Sequence, residues 1–177
     1  MRTVRQPIIP IGPSIAYLDL GGDAYALIDS QDAEVLGAFN WRLQNGRDYV
    51  TRSTVAAEGV KTKVALHHQI MGRNPGMLVD HRNRNPRDNR KGNLRWCENY
   101  QNQHNQGPRE GRRFKGTKRH PTCTSYTGHI RAFGKYYEKG KFPTEEAAAR
   151  WYDEMARKLH GEFAYQNFPN EVRSGND

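Results

Sequence analysis

The feature that most constrains this chain is Val79-Asp80-His81, with Asn93 12 residues after His81 and Asn102 9 residues further on. The pattern around these residues reads as a strand over 77–81, a polar loop over 82–92 without apolar periodicity, a second strand over 94–97 and a polar helix beginning at 98. Strand, loop, strand and helix form a compact unit that can bring Asp80, His81, Asn93 and Asn102 to one point. Its expected core is small: Leu78, Val79, Leu94, Trp96 and Tyr100. Adjacent strand residues leave opposite faces. Asp80 and His81 can therefore share a site only where the strand ends or twists, which the following loop permits.

Those residue types suit phosphodiester hydrolysis. A histidine titrating near neutral pH can deprotonate an attacking water. A hard cation such as Mg²⁺ takes one or two protein oxygens and keeps the rest of its shell for water and phosphate. Asp80 and the amide oxygen of Asn102 are suitable donors. Asn93 can hydrogen-bond the His81 ring and fix its orientation.

Charge points to the substrate class. The chain carries a formal net charge of +9, and residues 82–119 hold twelve Lys/Arg against three acidic residues, an excess equal to that of the whole chain. Clustered basic charge is the footprint of a phosphate-backbone binder. Arg82, Arg84, Arg87, Arg90 and Arg95 are the candidates for DNA contact in this part. The alternative is a solvated basic loop that aids solubility. Asp88 and Asn89 are read as loop residues bonding their own backbone, and His67 and His68 as structural.

Other classes are disfavoured. Cys97 and Cys123 form neither a zinc pattern nor a disulfide framework, so no structural zinc is expected and a reducing compartment is. No apolar run is long enough to span a membrane, and the basic N-terminus lacks the apolar core of a signal peptide. The expectation is a soluble intracellular protein.

Along the chain, residues 15–20 and 24–29 read as paired strands around a Gly21-Gly22-Asp23 turn. Residues 30–36 read as a helix capped by Ser30. Asn45-Gly46 marks a turn between strand-like 41–43 and 49–51, and 64–71 reads as a short helix stopped by Gly72. Residues 106–111 have linker composition. Beyond them come strands over 114–117, 126–132 and 135–142, then a helix capped by Thr144 with Glu145 and Glu146 at its positive end. Its apolar face is Ala148, Trp151, Tyr152, Met155 and Leu159, read as core, and Gly161 ends it. Residues 173–177 read as a frayed tail.

Two family resemblances follow from quoted residues. Leu66-His67-His68-Gln69-Ile70-Met71-Gly72, then Val79-Asp80-His81-Arg82-Asn83-Arg84-Asn85-Pro86-Arg87-Asp88-Asn89-Arg90, then Asn93-Leu94-Arg95-Trp96 and Asn99-Tyr100-Gln101-Asn102 resemble the HNH endonucleases, the ββα-metal nucleases of phages and mobile introns. The likeness covers about residues 8–106. It implies that His81 is the general base, that Asp80 and Asn102 hold the metal and that Asn93 orients His81. Asn102 stands where the family's name has a histidine, as in its homing-endonuclease branch, and this argues for one Mg²⁺, with Mn²⁺ as the alternative, over a catalytic Zn²⁺. The resemblance also places the protein in the cytoplasm of a bacterial or phage-infected host.

Residues 114–168 resemble the APETALA/ethylene-response-factor DNA-binding domain, carried by Tyr126-Thr127-Gly128-His129-Ile130-Arg131, by Lys139-Gly140-Lys141-Phe142-Pro143-Thr144-Glu145-Glu146-Ala147-Ala148-Ala149-Arg150-Trp151-Tyr152 and by Leu159-His160-Gly161-Glu162-Phe163. The family's Trp-rich second strand is missing. The resemblance implies a three-stranded antiparallel sheet on one helix, with the sheet in the major groove. Lys118, Arg119, Arg131, Lys135 and Lys141 are then the candidate DNA contacts, with Tyr126, Tyr136 and Tyr137 packing on sugars or bases.

The expected fold is α+β: a small β-rich N-terminal part with a ββα-metal motif, then a three-stranded antiparallel sheet packed on one helix. The expected domains are 1–106 (motif core about 77–106), a linker at 107–113, the second domain at 114–170 and a tail at 171–177. The expected function is metal-dependent cleavage of double-stranded DNA, with one nick per monomer, a dimer being the alternative assembly. A non-catalytic DNA-binding regulator on a nuclease scaffold is the alternative function.

Overall fold

Period-2 alternation builds the first sheet. The computed structural model describes residues 6–55 and 59–171; the expected tail at 173–177 lies outside them. Strands β1 (Ile8–Pro10), β2 (Ile15–Gly21) and β3 (Ala24–Asp29) form an antiparallel sheet in that order. Ala16 pairs with Ile28 and Leu18 with Ala26, which puts four buried side chains on one face. The turn expected at 21–23 joins β2 to β3, and Gly21, Gly22 and Asp23 all take positive φ there.

A 3₁₀ turn at Ser30–Asp32 then leads into α1 (Ala33–Gly37). The expected Ser30 cap does not form. The residue before the turn is Asp29, it makes no side-chain cap bond, and the Ser30 hydroxyl is buried without a partner. The chain turns down onto the sheet here, and burying Leu36 takes precedence over capping. Trp41, fully buried, ties this corner by donating Nε1 to the Leu36 carbonyl at 2.9 Å.

A second antiparallel sheet holds β4 (Arg42–Leu43), β5 (Val50–Val55) and β6 (Lys61–Ala65), in order β4-β5-β6. The helix expected over 64–71 is shorter: Val64 and Ala65 pair with Arg52 and Thr51 on β5, and α2 runs from Leu66 to Met71. The sheet offers those two residues ladder hydrogen bonds that an isolated helical turn cannot. Ala16, Leu18, Ala26, Ile28, Leu36, Trp41, Val50 and Leu66 make one core.

Strands β7 (Leu78–His81) and β8 (Leu94–Cys97) pair antiparallel, with Asp80 opposite Arg95 and His81 opposite Leu94. After Glu98 the chain enters α3 (Asn99–Asn105). The small core expected here is only partly realised. Leu94 is buried, but Leu78 is 38% and Tyr100 49% exposed, because a four-residue ribbon has too little face to enclose them.

The chain divides into two units, residues 1–99 and 100–177; the stretch expected as linker, 107–113, lies within the second. In that unit β9 (Thr117–Arg119), β10 (Tyr126–Ala132) and β11 (Lys135–Phe142) form a sheet in order β11-β10-β9, covered by α4 (Glu145–His160). The first of these strands starts at Thr117 and not at Phe114, whose ring is buried against Phe168. Thr144 caps α4 as its sequence indicates, accepting from the Ala147 amide at 3.1 Å. Ile130, Tyr152 and Ala156 are the buried centre, with Trp151, Met155 and Leu159 packed on it.

Sheet and helix approach closely at Gly128. A Cβ there would collide with the Trp151 ring and lie 2.9 Å from the Ala148 carbonyl oxygen. Gly128→Ala should therefore destabilise the second unit by about 1–3 kcal/mol, the usual cost of overpacking. Urea unfolding of the variant against the parent measures it; an unchanged midpoint would show that α4 can retreat freely.

Candidate active site

The loop between β7 and β8 contains no apolar residue, and short polar bonds hold it. Asn83 Oδ1 accepts from the Asn85 amide, Asn85 Oδ1 from the Arg87 amide and Asp88 Oδ1 from the Arg90 amide. Such Asx turns replace backbone pairing where no ladder exists. Asp88, only 1% exposed, also pairs with the Arg90 guanidinium at 2.7 Å and accepts from Asn83 Nδ2 at 2.9 Å. Those donors hold its carboxyl below the usual range, against the opposing effect of burial. The loop is stitched to β3 as well: the Leu27 amide donates to the Arg87 carbonyl at 2.7 Å, and the Asn89 amide donates to the Leu27 carbonyl at 2.8 Å.

His81, 5% exposed, ends β7 beneath this loop. Its Nε2 lies 3.4 Å from Asn89 Oδ1. Its ring centroid lies 5.2 Å from that of His67, nearly perpendicular, and 6.2 Å from that of Tyr49. His68 stands 4.6 Å from His67. Burial lowers the pKa of His81; the Asn89 contact and the charges of Asp80 and Asp88 act the other way without cancelling it. The ring is thus neutral at neutral pH, the form a general base requires. His67 is pushed down to about 3 by burial and by His81 and His68 beside it.

Asp80 leaves the opposite face of β7. It is 6% exposed, and its Oδ2 accepts from Arg95 Nε at 2.9 Å and Nη2 at 2.7 Å across the ribbon. Asn93 serves the loop. Its Nδ2 donates to Asn83 Oδ1 at 2.9 Å and to the Asp88 carbonyl at 2.7 Å, and its Oδ1 accepts from the Asn83 amide at 3.0 Å. The amide side chain recorded beside His81 is that of Asn89, which the sequence assigned to the loop alone. Asn102 lies in the middle of α3, in the second unit.

The basic residues differ in how far they are committed. Arg87 pairs with Asp48, Arg90 with Asp88, buried Arg95 with Asp80, and Lys118 with Glu138. Arg82 and Arg84 are exposed on the loop, Arg84 with positive φ. In the second unit Arg119, Arg131, Lys135 and Lys141 are exposed. Arg131 stands opposite Tyr136, with its guanidinium 5.6 Å from that ring. Phe133, exposed at the tip between β10 and β11 with φ of 50°, went unremarked in the sequence; its place in a two-residue Phe-Gly turn was the available signal.

Helix α3 has a defined C-terminal anchor. Lys115 Nζ donates to the carbonyls of Gln103 (3.1 Å), His104 (2.8 Å) and Gln106 (2.7 Å), and the Tyr165 amide donates to the His104 carbonyl. A cation there satisfies orphan carbonyls and matches the negative end of the helix. The His104 ring stacks on His160 at 3.5 Å.

Two expectations follow. His67 titrates near 6.5 when unfolded and at about 3 when folded. Between those values the unfolded chain holds the extra proton, so stability falls as pH drops from 6.5 towards 3. The slope from this group is at most about 1.4 kcal/mol per pH unit, and His67→Gln should flatten it in a pH series of urea unfolding. Lys115→Met removes three charge-assisted contacts. It should speed hydrogen exchange of the α3 amides by about tenfold or more, as a loss of about 1.5–3 kcal/mol implies; unchanged protection would show the anchor to be incidental.

No family model and no solved structure matches the chain. It is similar to a protein of Acanthamoeba polyphaga mimivirus named as an uncharacterized HNH endonuclease, 28% identical over 163 residues that cover 87% of this chain and 82% of that protein.

Proposed function

We propose that the protein is a metal-dependent DNA endonuclease of the HNH type that nicks duplex DNA, with its C-terminal unit as a sheet-based DNA-recognition module. The observation that carries this reading is His81: a buried neutral imidazole held against Asn89 under a rigid arginine-rich loop. The name of the distant viral relative supports the same class. No helix among the described residues is long and apolar enough to cross a membrane.

In this mechanism His81 takes the proton of the attacking water. Asn89 and the rings of His67 and Tyr49 limit its rotation, and Asn93 acts through the loop by tying Asn83 to Asp88. The exposed loop arginines, Arg82 and Arg84 first, bind phosphates on either side of the cut. The resemblance, and not the placement of their side chains, assigns the cation to Asp80 and Asn102. Carboxylate and amide oxygens are the hard donors that suit Mg²⁺ or Mn²⁺. A bound hard cation supplies charge neutralisation at the phosphate and stabilises the departing 3′ oxygen. A carboxylate has about four lone-pair sites, so Asp80 can serve Arg95 and a cation together. One such site makes one cut, hence a nick from a monomer, with paired cuts as the outcome of dimerisation.

The second unit fits DNA through the outward face of its sheet. Lys118 stands opposite Thr127 on β10, and Arg131 and Tyr136 are paired across β10 and β11. This reading rests on the resemblance of residues 114–168 to the APETALA/ethylene-response-factor domains, and Arg119, Lys135 and Lys141 extend the basic edge.

One observation favours the alternative of a non-catalytic DNA-binding protein: the buried Asp80–Arg95 pair gives the carboxylate a structural partner already. Supercoiled plasmid incubated with purified protein decides between them. Nicking with Mg²⁺ and none with EDTA is the expected result, and His81→Ala should lower the rate by about 10²–10⁴-fold with DNA affinity retained. Binding without cutting would establish the regulator; parent-like cutting by His81→Ala would remove His81 from the mechanism.

A further inference from the structure

A second basic site lies in the first unit. A cleft with room for about 510 Å³ of solvent opens beside the β4–β5–β6 sheet. Arg42 on β4 and Lys63 on β6 line it together with Thr51 and Ser53 of β5, and among the described residues no acidic residue does. Strand register explains the grouping. Arg42 pairs with Thr51 and Lys63 with Ser53. Thr51 and Ser53 are two apart on β5, so these four residues share one face of the sheet. Asn40 and Gln44 add amides at the rim.

Arg52, between Thr51 and Ser53 on β5, leaves the opposite face of the sheet and is held there. Its guanidinium lies 4.1 Å above the Phe39 ring and 5.7 Å from that of Trp41, and its Nη2 donates to Gln69 Oε1 at 2.8 Å. Its Nε is buried with no hydrogen-bond partner among the described residues. Arg42 and Lys63 form no ion pair among the described residues, whereas Arg87, Arg90 and Lys91 of the loop each have an acidic partner.

We propose that this cleft binds the phosphodiester backbone of duplex DNA, as a contact separate from the arginine loop around His81. The inference rests on the nuclease reading for its choice of polyanion. An open cleft lined by cations, hydroxyls and amides suits an extended backbone better than a small free anion, which needs enclosure. These residues lie outside the segment 82–119 that holds the chain's charge excess. The cleft therefore extends the footprint along the duplex and contributes affinity that does not depend on sequence.

The test uses the full-length protein and a fluorescent duplex, with the dissociation constant measured across a salt series. Arg42→Ala with Lys63→Ala should flatten the log–log slope by about 1.8 units, at about 0.9 per lost phosphate contact. The matched pair Arg157→Ala with Lys158→Ala on α4 should leave the slope unchanged. Equal flattening by both pairs would mean diffuse charge, and an unchanged slope for Arg42/Lys63 would mean no contact; either overturns the proposal, as would tighter binding of an RNA duplex of the same sequence. Plasmid nicking is read separately. A protein that binds with these slopes but never cuts keeps the cleft and loses the nuclease.

Discussion

Everything proposed for this protein depends on how a loop without hydrophobic residues is held still. The segment between β7 and β8 cannot be fixed by burying side chains, so it is fixed by hydrogen bonds. Asp88 and Asn89 sit inside it at 1% exposure, one binding Arg90 and Asn83, the other bridging the Pro86 carbonyl and His81. The exchange of backbone bonds with Leu27, through the Arg87 carbonyl and the Asn89 amide, fastens the loop to the edge of the first sheet. Buried polar groups are tolerable only when satisfied together, and here that requirement turns an arginine-rich loop into a rigid platform.

That platform separates two kinds of charge. Asp80 faces across the ribbon to Arg95, while His81 faces His67, Tyr49 and Asn89. The strand's alternation puts them on opposite sides, yet the Asp80 charge is still close enough to act on His81. Burial prevails over both neighbouring carboxylates and keeps the imidazole neutral. The neighbouring histidines are part of the same environment: they crowd the ring without offering it a negative charge.

The second unit holds α3 by its own side chains. Lys115, Tyr165 and His160 hold the C-terminal end of the helix that carries Asn102. Deeper in that unit, Asp153 gathers the amides of Asn167 and Phe168, and Asn167 in turn bonds Lys115 through its backbone. The orientation of Asn102 is therefore tied to the packing of α4 within that unit.

Much of this was legible in the sequence. Period-2 runs with Gly turns marked β2, β3, β10 and β11, and the Thr144 cap with acids behind it marked α4, because those signals act over a few residues of backbone. The pairing of Asp80 and His81 at a strand end, and the Asx-rich loop after it, were local too. What sequence could not assign was decided at a distance. Leu78 and Tyr100 are apolar but exposed, since the ribbon is too short to cover them. Val64 and Ala65 joined β6 because a partner strand was present. Asn93 bonds the loop, and Asn89 was placed beside His81, because a loop pinned at Leu27 sets which amide reaches the ring. The cations of β4 and β6 came to share one face only through register. Residue order determines local backbone preference; which polar side chains meet is settled by the packing of segments far apart in the chain, where each buried group must find its partner.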